Sequence, residues 1–262
     1  MKVLIKIGGT LLDAAETRAR LAGEIAQAVQ GGLRAVVVHG GGKQMTRYLT
    51  DRGIESRAIN GLRVTTPEVL DAVLKVFAGS VNHELVAAFV ANGVPAVGLT
   101  GMDALLTEAS LMSPELGAVG KPVRSDARLL ELLMDHRYLP VVACVAGDRM
   151  GNFYNVNADQ MAVSLAGAIR AEKLLFLTDV DGVRRQDNVI YSTLNFDQCQ
   201  ELIAAGIATG GMKTKLESAL DALRAGVGEA VIAPGAQAGV IAKLLTGGHI
   251  GTRLATESGI PK

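Results

Sequence analysis

Short apolar runs that stop at glycine clusters, helical-period stretches between them, and a composition 49% apolar but only 3% aromatic predict an α/β protein. The expected fold is a three-layer αβα sandwich with a mostly parallel central sheet and helices on both faces. With so few aromatics, Ala, Val, Leu and Ile must build the core. A length of 262 residues accommodates two ordinary domains or one large one. No linker rich in Pro or Ser interrupts it, so a single domain over residues 1–262 is expected, with two lobes, 1–172 and 173–262, and a soft boundary near 171–173. The 31 glycines against 7 prolines, without a collagen period or low-complexity run, imply many tight turns and close backbone approaches.

The elements follow in order. Val3 to Ile7 reads as a buried strand ending at Gly8-Gly9. Asp13 and Glu16 have capping-box spacing, and Leu21, Ile25, Ala28 and Val29 share a helical face before Gly31-Gly32 stops the helix. Ala35 to Val38 is a second strand, running into His39-Gly40-Gly41-Gly42, and Lys43 to Arg52 is the next helix. Thr66-Pro67 opens a long helical stretch with Leu70, Val73, Leu74 and Phe77 as its stripe. Ala96 to Leu99 and Leu139 to Val145 are strands, whereas Thr100 to Arg124 lacks helical period and suits loops or an antiparallel ribbon. From Lys173 the rhythm restarts: strand Leu174 to Thr178, helices around Gln198 to Ala205 and Met212 to Ala225, and a late strand Ala230 to Ala233.

Composition also excludes. Twenty-six basic residues balance 26 acidic ones, giving a formal charge of zero and arguing against a general nucleic-acid binder. Cys144 and Cys199 lie far apart in apolar segments and read as small core residues, and four scattered histidines outline no transition-metal site. No uninterrupted apolar run reaches about 18 residues, and no signal-like start precedes the first strand, so a cytoplasmic protein without membrane attachment is expected.

Three glycine-rich places sit at or near predicted element ends: Lys6-Ile7-Gly8-Gly9-Thr10, His39 to Gly42, and Thr209-Gly210-Gly211-Met212-Lys213-Thr214-Lys215. In an open α/β sheet, ligands lie at the carboxyl ends of strands, where glycines let backbone N–H groups reach phosphate or carboxylate oxygens. A P-loop does not fit, because Lys43 follows three glycines and precedes Gln44. A dinucleotide fingerprint fails at Met45, where its third small residue belongs.

The chain resembles the amino-acid kinase family, with its carbamate kinase-like fold, and within it the members acting on N-acetyl-L-glutamate. The resemblance runs nearly end to end through Lys6-Ile7-Gly8-Gly9, His39 to Gly42, Asn60-Gly61-Leu62-Arg63-Val64-Thr65, Asn155-Val156-Asn157-Ala158-Asp159, Thr178-Asp179-Val180-Asp181-Gly182-Val183, and Gly211-Met212 with Lys215. It implies ATP as co-substrate, Mg2+ held mainly by the ATP phosphates rather than by protein ligands, and γ-phosphoryl transfer to the side-chain carboxylate of N-acetyl-L-glutamate in arginine biosynthesis. It also implies that Lys6 and Lys215 flank the transferred group and that Asp159 orients them, in addition to its place in a helix first turn that Asn157 could cap. Gly41, Gly42, Arg63 and Asn155 would bind the acceptor. Gly8, Gly9, Asp179, Val180, Asp181, Gly182, Val183, Arg184, Ala208 and Thr209 would border ATP, although unaided the acids after Thr178 read as turn formers. Lys213 is left to solvent.

Chemistry fits this resemblance. A carboxylate acceptor, with a pKa of about 4.3, is ionised at neutral pH and needs no general base. It needs cations: a lysine about 3 Å from a phosphoryl oxygen gains about 5 kcal/mol at an effective dielectric of about 20, before desolvation. Carrier-bound α-aminoadipate and N-succinylglutamate are the rival acceptors, although Asn60 to Leu70 is not notably basic, as docking of an acidic carrier would require. A catalytically silent sensor is the rival class, against which the presence of Lys6, Asp159 and Lys215 counts. In that family an extra N-terminal helix accompanies arginine inhibition and hexamers. With a first strand at Val3, an arginine-insensitive homodimer built through the 1–172 lobe is expected, with lobe closure over the ligands.

Overall fold

Lys2–Ile7, buried over its last five residues, forms β1, the strand around which the sheet is organised. The computed structural model describes residues 1–185 and 187–255. The remaining strands are β2 (Arg34–His39), β3 (Ala58–Ile59), β4 (Leu62–Arg63), β5 (Ala96–Thr100), β6 (Thr107–Leu111), β7 (Val119–Ser125), β8 (Leu139–Ala143), β9 (Val145–Gly147), β10 (Phe153–Val156), β11 (Lys173–Thr178), β12 (Thr193–Leu194), β13 (Glu229–Pro234) and β14 (Thr252–Ala255). The helices are α1 (Gly9–Asp13), α2 (Ala15–Gln30), α3 (Gly42–Thr50), α4 (Pro67–Val73), α5 (Asn82–Ala91), α6 (Arg128–Asp135), α7 (Ala158–Ala168), α8 (Phe196–Ala204), α9 (Gly210–Arg224) and α10 (Val240–Leu245).

The main sheet has the order β12-β14-β13-β11-β1-β2-β8-β5, and only the β13–β14 pairing is antiparallel. Helices α2, α5 and α10 pack together as one layer, and α7 packs on α9 in the other, so the expected αβα sandwich is what forms. After β1 the chain adds β2 beside it, lays β5 at the far edge and inserts β8 between them, then returns to add β11 against the free edge of β1. That reversal is a topological switch point, where a crevice opens beyond the carboxyl ends of the strands. The loops after β11, β1 and β2 therefore lie side by side, and the amide of Gly8 donates to the carbonyl of Leu177 at 2.9 Å to tie two of them together.

Several local expectations shift. Asp13 and Glu16 form no capping box: the chain breaks at Ala14, which leads into α2 without a side-chain cap, and Asp13 instead pairs with Arg47 at 2.6 Å. The capping box lies at α8, where Asn195 Oδ1 accepts from the Gln198 amide at 2.8 Å and Gln198 Oε1 accepts from the Asn195 amide at 2.9 Å. The expected Leu139–Val145 strand divides at Cys144, because β9 leaves the main sheet for a small barrel of β10, β7, β6 and β9. Within that barrel β6 and β7 make the antiparallel ribbon allowed for Thr100–Arg124.

The long helix begins as expected, with Thr66 capping the Val69 amide and Pro67 in the first turn. Its buried stripe is Val69, Val73, Val76 and Phe77 rather than one starting at Leu70. Between α4 and α5, Leu74–Val81 winds as a π-helix, which shifts the side-chain register. The 25-residue rod Pro67–Ala91, mean hydropathy 1.4 over its most apolar window, is long and apolar enough to cross a membrane by length and composition, despite its charged interruptions. One stripe of it is buried against the core, and 39% of that window is buried in all.

Replacing Asn195 by Ala removes a complete capping box and is expected to lower stability by about 1 kcal/mol. Asp13→Ala breaks only an ion pair with an exposed arginine and should cost less. Urea unfolding of both variants checks this, and an equal or larger loss at Asp13 contradicts the assignment.

Candidate functional site

The β1 backbone delivers Lys6 to the strand end, two residues before Gly8. Its ammonium lies 2.8 Å from Asp159 Oδ1, and Lys215 Nζ, from α9, lies 3.8 Å from Asp159 Oδ2. Lys6 and Asp159 are both buried. Asp159 sits in the first turn of α7 because Asn157 Oδ1 caps that helix, accepting from the amides of Asp159 at 2.8 Å and Gln160 at 3.2 Å. Burial pushes the Asp159 carboxyl up, but the charges of Lys6 and Lys215 outweigh it and hold it below the ordinary carboxylate range. Two ammoniums share one carboxylate, so the cluster keeps a surplus positive charge at the crevice.

Beside it opens a cavity of about 760 Å³ lined by Gly9, Gly41, Gly42, Arg63 and Asn155. Two glycines are required by contact. A Cβ on Gly9 would lie 2.9 Å from the Gly42 nitrogen, and one on Gly41 would lie 2.9 Å from Phe77 Cδ1 and 3.2 Å from Val81 Cγ2. Bare backbone at both positions lets the first two loops touch and leaves the amino end of α3 facing the cavity. Arg63 is held by Thr46, whose Oγ1 accepts from Nη2 at 2.9 Å, and by Ser56. Asn155 Nδ2 donates to Thr65 Oγ1 at 3.1 Å, and that hydroxyl donates to the Arg63 carbonyl at 2.9 Å. One buried threonine thus couples the arginine strand to the asparagine.

Lys43, Arg57 and Arg63 line this cavity, and no Asp or Glu does among the described residues. Arg57, Thr46 and Ser56 were not singled out from sequence. The one usable signal was the bare cation in Ser56-Arg57 just before the Asn60–Thr65 motif. Cys144 also borders the cavity, but burial pushes its thiol up to about 12, so it is no nucleophile at neutral pH.

Of the residues expected to border ATP, only Gly9 lines this cavity; Gly8, the segment from Asp179 to Arg184, Ala208 and Thr209 do not. Asp179, Val180, Asp181, Gly182, Val183 and Arg184 follow β11, with Asp179 Oδ1 accepting from Thr178 Oγ1 at 3.1 Å and Asp181 paired with Arg184 at 2.8 Å. The Val183 amide donates to Thr252 Oγ1 at 2.8 Å, so only the surrounding residues remain open to a ligand there. Ala208 is buried, whereas Thr209 is exposed and precedes α9 without a side-chain cap. Lys213 is half exposed and lies 3.8 Å from Glu217, as expected of a solvent-facing lysine.

Comparison with known proteins places these features in context. The profile described as the amino acid kinase family matches residues 1–234. An acetylglutamate kinase from Solibacter usitatus is 58% identical over 256 residues, covering 98% of this chain and all (100%) of that protein. One from Rubrobacter xylanophilus is 40% identical, covering 97% of each. Among solved structures, an N-acetylglutamate synthase from Neisseria gonorrhoeae complexed with coenzyme A and N-acetyl-glutamate superposes with a TM-score of 0.86 at 29% identity. The match covers 98% of this chain but only 59% of that longer protein. A carbamate kinase from Giardia lamblia, at 16% identity and a TM-score of 0.71, shares the fold over 98% of both chains.

Acid stability tests the interior of the site. His39 is fully buried, and desolvation, only partly offset by its bond to Gly40, lowers its pKa from 6.5 to about 4. The unfolded chain therefore binds a proton that the folded one refuses. This contribution is fully present above the unfolded value and is lost as pH falls from about 7 toward about 4, by up to about 3 kcal/mol. Urea unfolding from pH 7.5 down to about 5 should show a steeper decline for the native sequence than for His39→Asn. Parallel curves would refute the buried neutral imidazole.

Proposed function

This chain belongs to the amino acid kinase family, and we propose that it transfers the γ-phosphoryl of ATP to the side-chain carboxylate of N-acetyl-L-glutamate, a step of arginine biosynthesis. The observation carrying this reading is the Lys6–Asp159–Lys215 cluster, with Lys6 and Asp159 buried, beside a cationic cavity that no Asp or Glu lines among the described residues, in a chain 58% identical to an acetylglutamate kinase.

The acceptor carboxylate is ionised at neutral pH, so its oxygen attacks the γ-phosphorus without losing a proton. The new carboxyl O–P bond forms as the bond to the β-phosphate oxygen breaks, and ADP leaves with that electron pair. Arg63 grips the α-carboxylate through its planar fork, and the Asn155 amide recognises the acylated nitrogen region. The amides of Gly41 and Gly42 approach the reacting oxygens. Lys6 and Lys215 neutralise charge on the group in flight, and Asp159 holds both so that little reorganisation is needed at the transition state.

Gly8, Gly9, the segment Asp179 to Arg184, Ala208 and Thr209 border the nucleotide in this reading. Magnesium held by the ATP phosphates would supply charge neutralisation there. The exposed carboxylate of Asp181 is already paired with Arg184, which suits a metal carried by the nucleotide. Lobe 1–172 holds the acceptor and builds a cytoplasmic homodimer, while lobe 173–262 holds ATP. The order of the sheet supports this division, since the two halves flank β1 on opposite sides.

Hydroxylamine trapping of the acyl phosphate, with ATP and Mg2+, should give product from N-acetyl-L-glutamate in preference to N-succinylglutamate, glutamate and carrier-bound α-aminoadipate. No product from the acetylated acceptor ends this reading. Lys215→Ala should lower kcat at least about a hundredfold with a modest change in acceptor KM, the signature of charge stabilised mainly in the transition state. Unchanged turnover removes Lys215 from the mechanism.

A further inference from the structure

The tripeptide Gly40-Gly41-Gly42 carries no side chain to hold its peptide planes, yet one of its carbonyls is fixed by a buried imidazole. His39 Nδ1 lies 2.9 Å from the Gly40 oxygen, and Asn82 Nδ2 lies 2.9 Å from His39 Nε2. Three assignments follow in sequence. Asn82 Nδ2 also lies 2.9 Å from the Val141 carbonyl, a pure acceptor, so the amide nitrogen and not its oxygen faces the imidazole. An amide NH2 only donates, so Nε2 must be the bare nitrogen. The proton of the neutral ring is therefore on Nδ1, where it donates to Gly40.

A trans peptide sets its C=O and N–H in opposite directions. Pinning the Gly40 carbonyl toward the buried ring turns the Gly41 N–H away from it, and that N–H has no acceptor among the described residues. Gly41 itself lines the cavity. We propose that His39 and Asn82 are positioning residues, a tautomer-locked pair that aims the Gly41 amide at an anionic oxygen of the reacting carboxylate–phosphoryl unit. The inference rests on the kinase reading above.

The π-helical stretch makes the arrangement possible. Its bonds run from i to i+5, so residues five apart share a face: Phe77, with Val81, packs on Gly41 while Asn82 reaches His39 beside the loop. Cys144 Sγ donates to the His39 carbonyl at 2.8 Å, closing the other side. Gly98 is part of the same fit, since any Cβ there would lie 2.0 Å from Asn82 Oδ1.

The nitrogen of an Asn side chain can occupy the place of Nδ1, whereas Leu offers no donor. His39→Leu should lower kcat at least about thirtyfold, short of deleting an oriented donor, with the KM for ATP changed less than about threefold. His39→Asn should recover most of that loss, and Asn82→Leu should follow His39→Leu by freeing the tautomer. Independently of turnover, nitrogen NMR of the native protein should report His39 as the Nδ1–H tautomer at pH 7. An Nε2–H tautomer, a folded His39→Leu with native kcat, or His39→Asn as impaired as His39→Leu overturns the proposal. Should the leucine variants fail to fold, the tautomer measurement and His39→Asn decide it. Absence of any native activity on N-acetyl-L-glutamate instead defeats the acceptor assignment and leaves the tautomer result standing.

Discussion

The structure depends on one carboxylate placed between two ammoniums. Lys6 comes from β1, Asp159 from α7 and Lys215 from α9, so three elements far apart in sequence must meet for both lysines to lie within ion-pairing distance of Asp159. Burying such charges is expensive by several kcal/mol per ion unless each finds a partner. Asp159 cannot move without stranding Lys6, and Lys6 cannot move without deforming the strand at the centre of the sheet. The same electrostatics that fixes the packing of α7 on β1 also fixes the direction in which positive charge faces the crevice.

Around that cluster the backbone takes over work that side chains do elsewhere. Gly9 and Gly42 meet main chain to main chain, and Gly41 lies flat on Phe77 and Val81, so the loop is shaped from outside by the π-helical rod and by His39. The cations Lys43, Arg57 and Arg63 line the cavity without a competing acid among the described residues, which leaves their charge available to an anionic ligand. A reaction whose nucleophile is already ionised asks for this distribution: fixed dipoles and cations, and no group poised to take a proton.

Much of this was legible in the sequence, for identifiable reasons. Strands β1, β2, β11 and β13 announced themselves because buried parallel strands are apolar on both faces, and glycine clusters marked the ends of β1 and β2. The motif residues Lys6, Asp159 and Lys215 come together as the resemblance implied, and Gly41, Gly42, Arg63 and Asn155 share one cavity. What escaped was set by tertiary context. The false capping box at Asp13 obeyed the local spacing rule, but Ala14 breaks the chain there. The stripe of the long helix was misphased because apolar periodicity assumes α-helical winding, and nothing in Leu74–Val81 advertises a π-helix. Asn82 and Arg57 lie outside every motif; the importance of Asn82 appears only when β8 brings Val141 beside it, and that of Arg57 when the β3–β4 hairpin sets it in the same cavity as Arg63.

The pairing of β1 with β11 brings Val3 against Lys173, and α9 then supplies a lysine still farther along the chain. During synthesis from the amino terminus, the first lysine of the cluster therefore leaves the ribosome long before its counterpart exists. The edge of β1 that will receive β11 stays open until β11 is made, exposed to the wrong partners that any unpaired strand attracts. The first loops can form early, but no truncated nascent chain ending before α9 can assemble the full charge cluster. Competence thus waits for α9 and belongs to no fragment that lacks it.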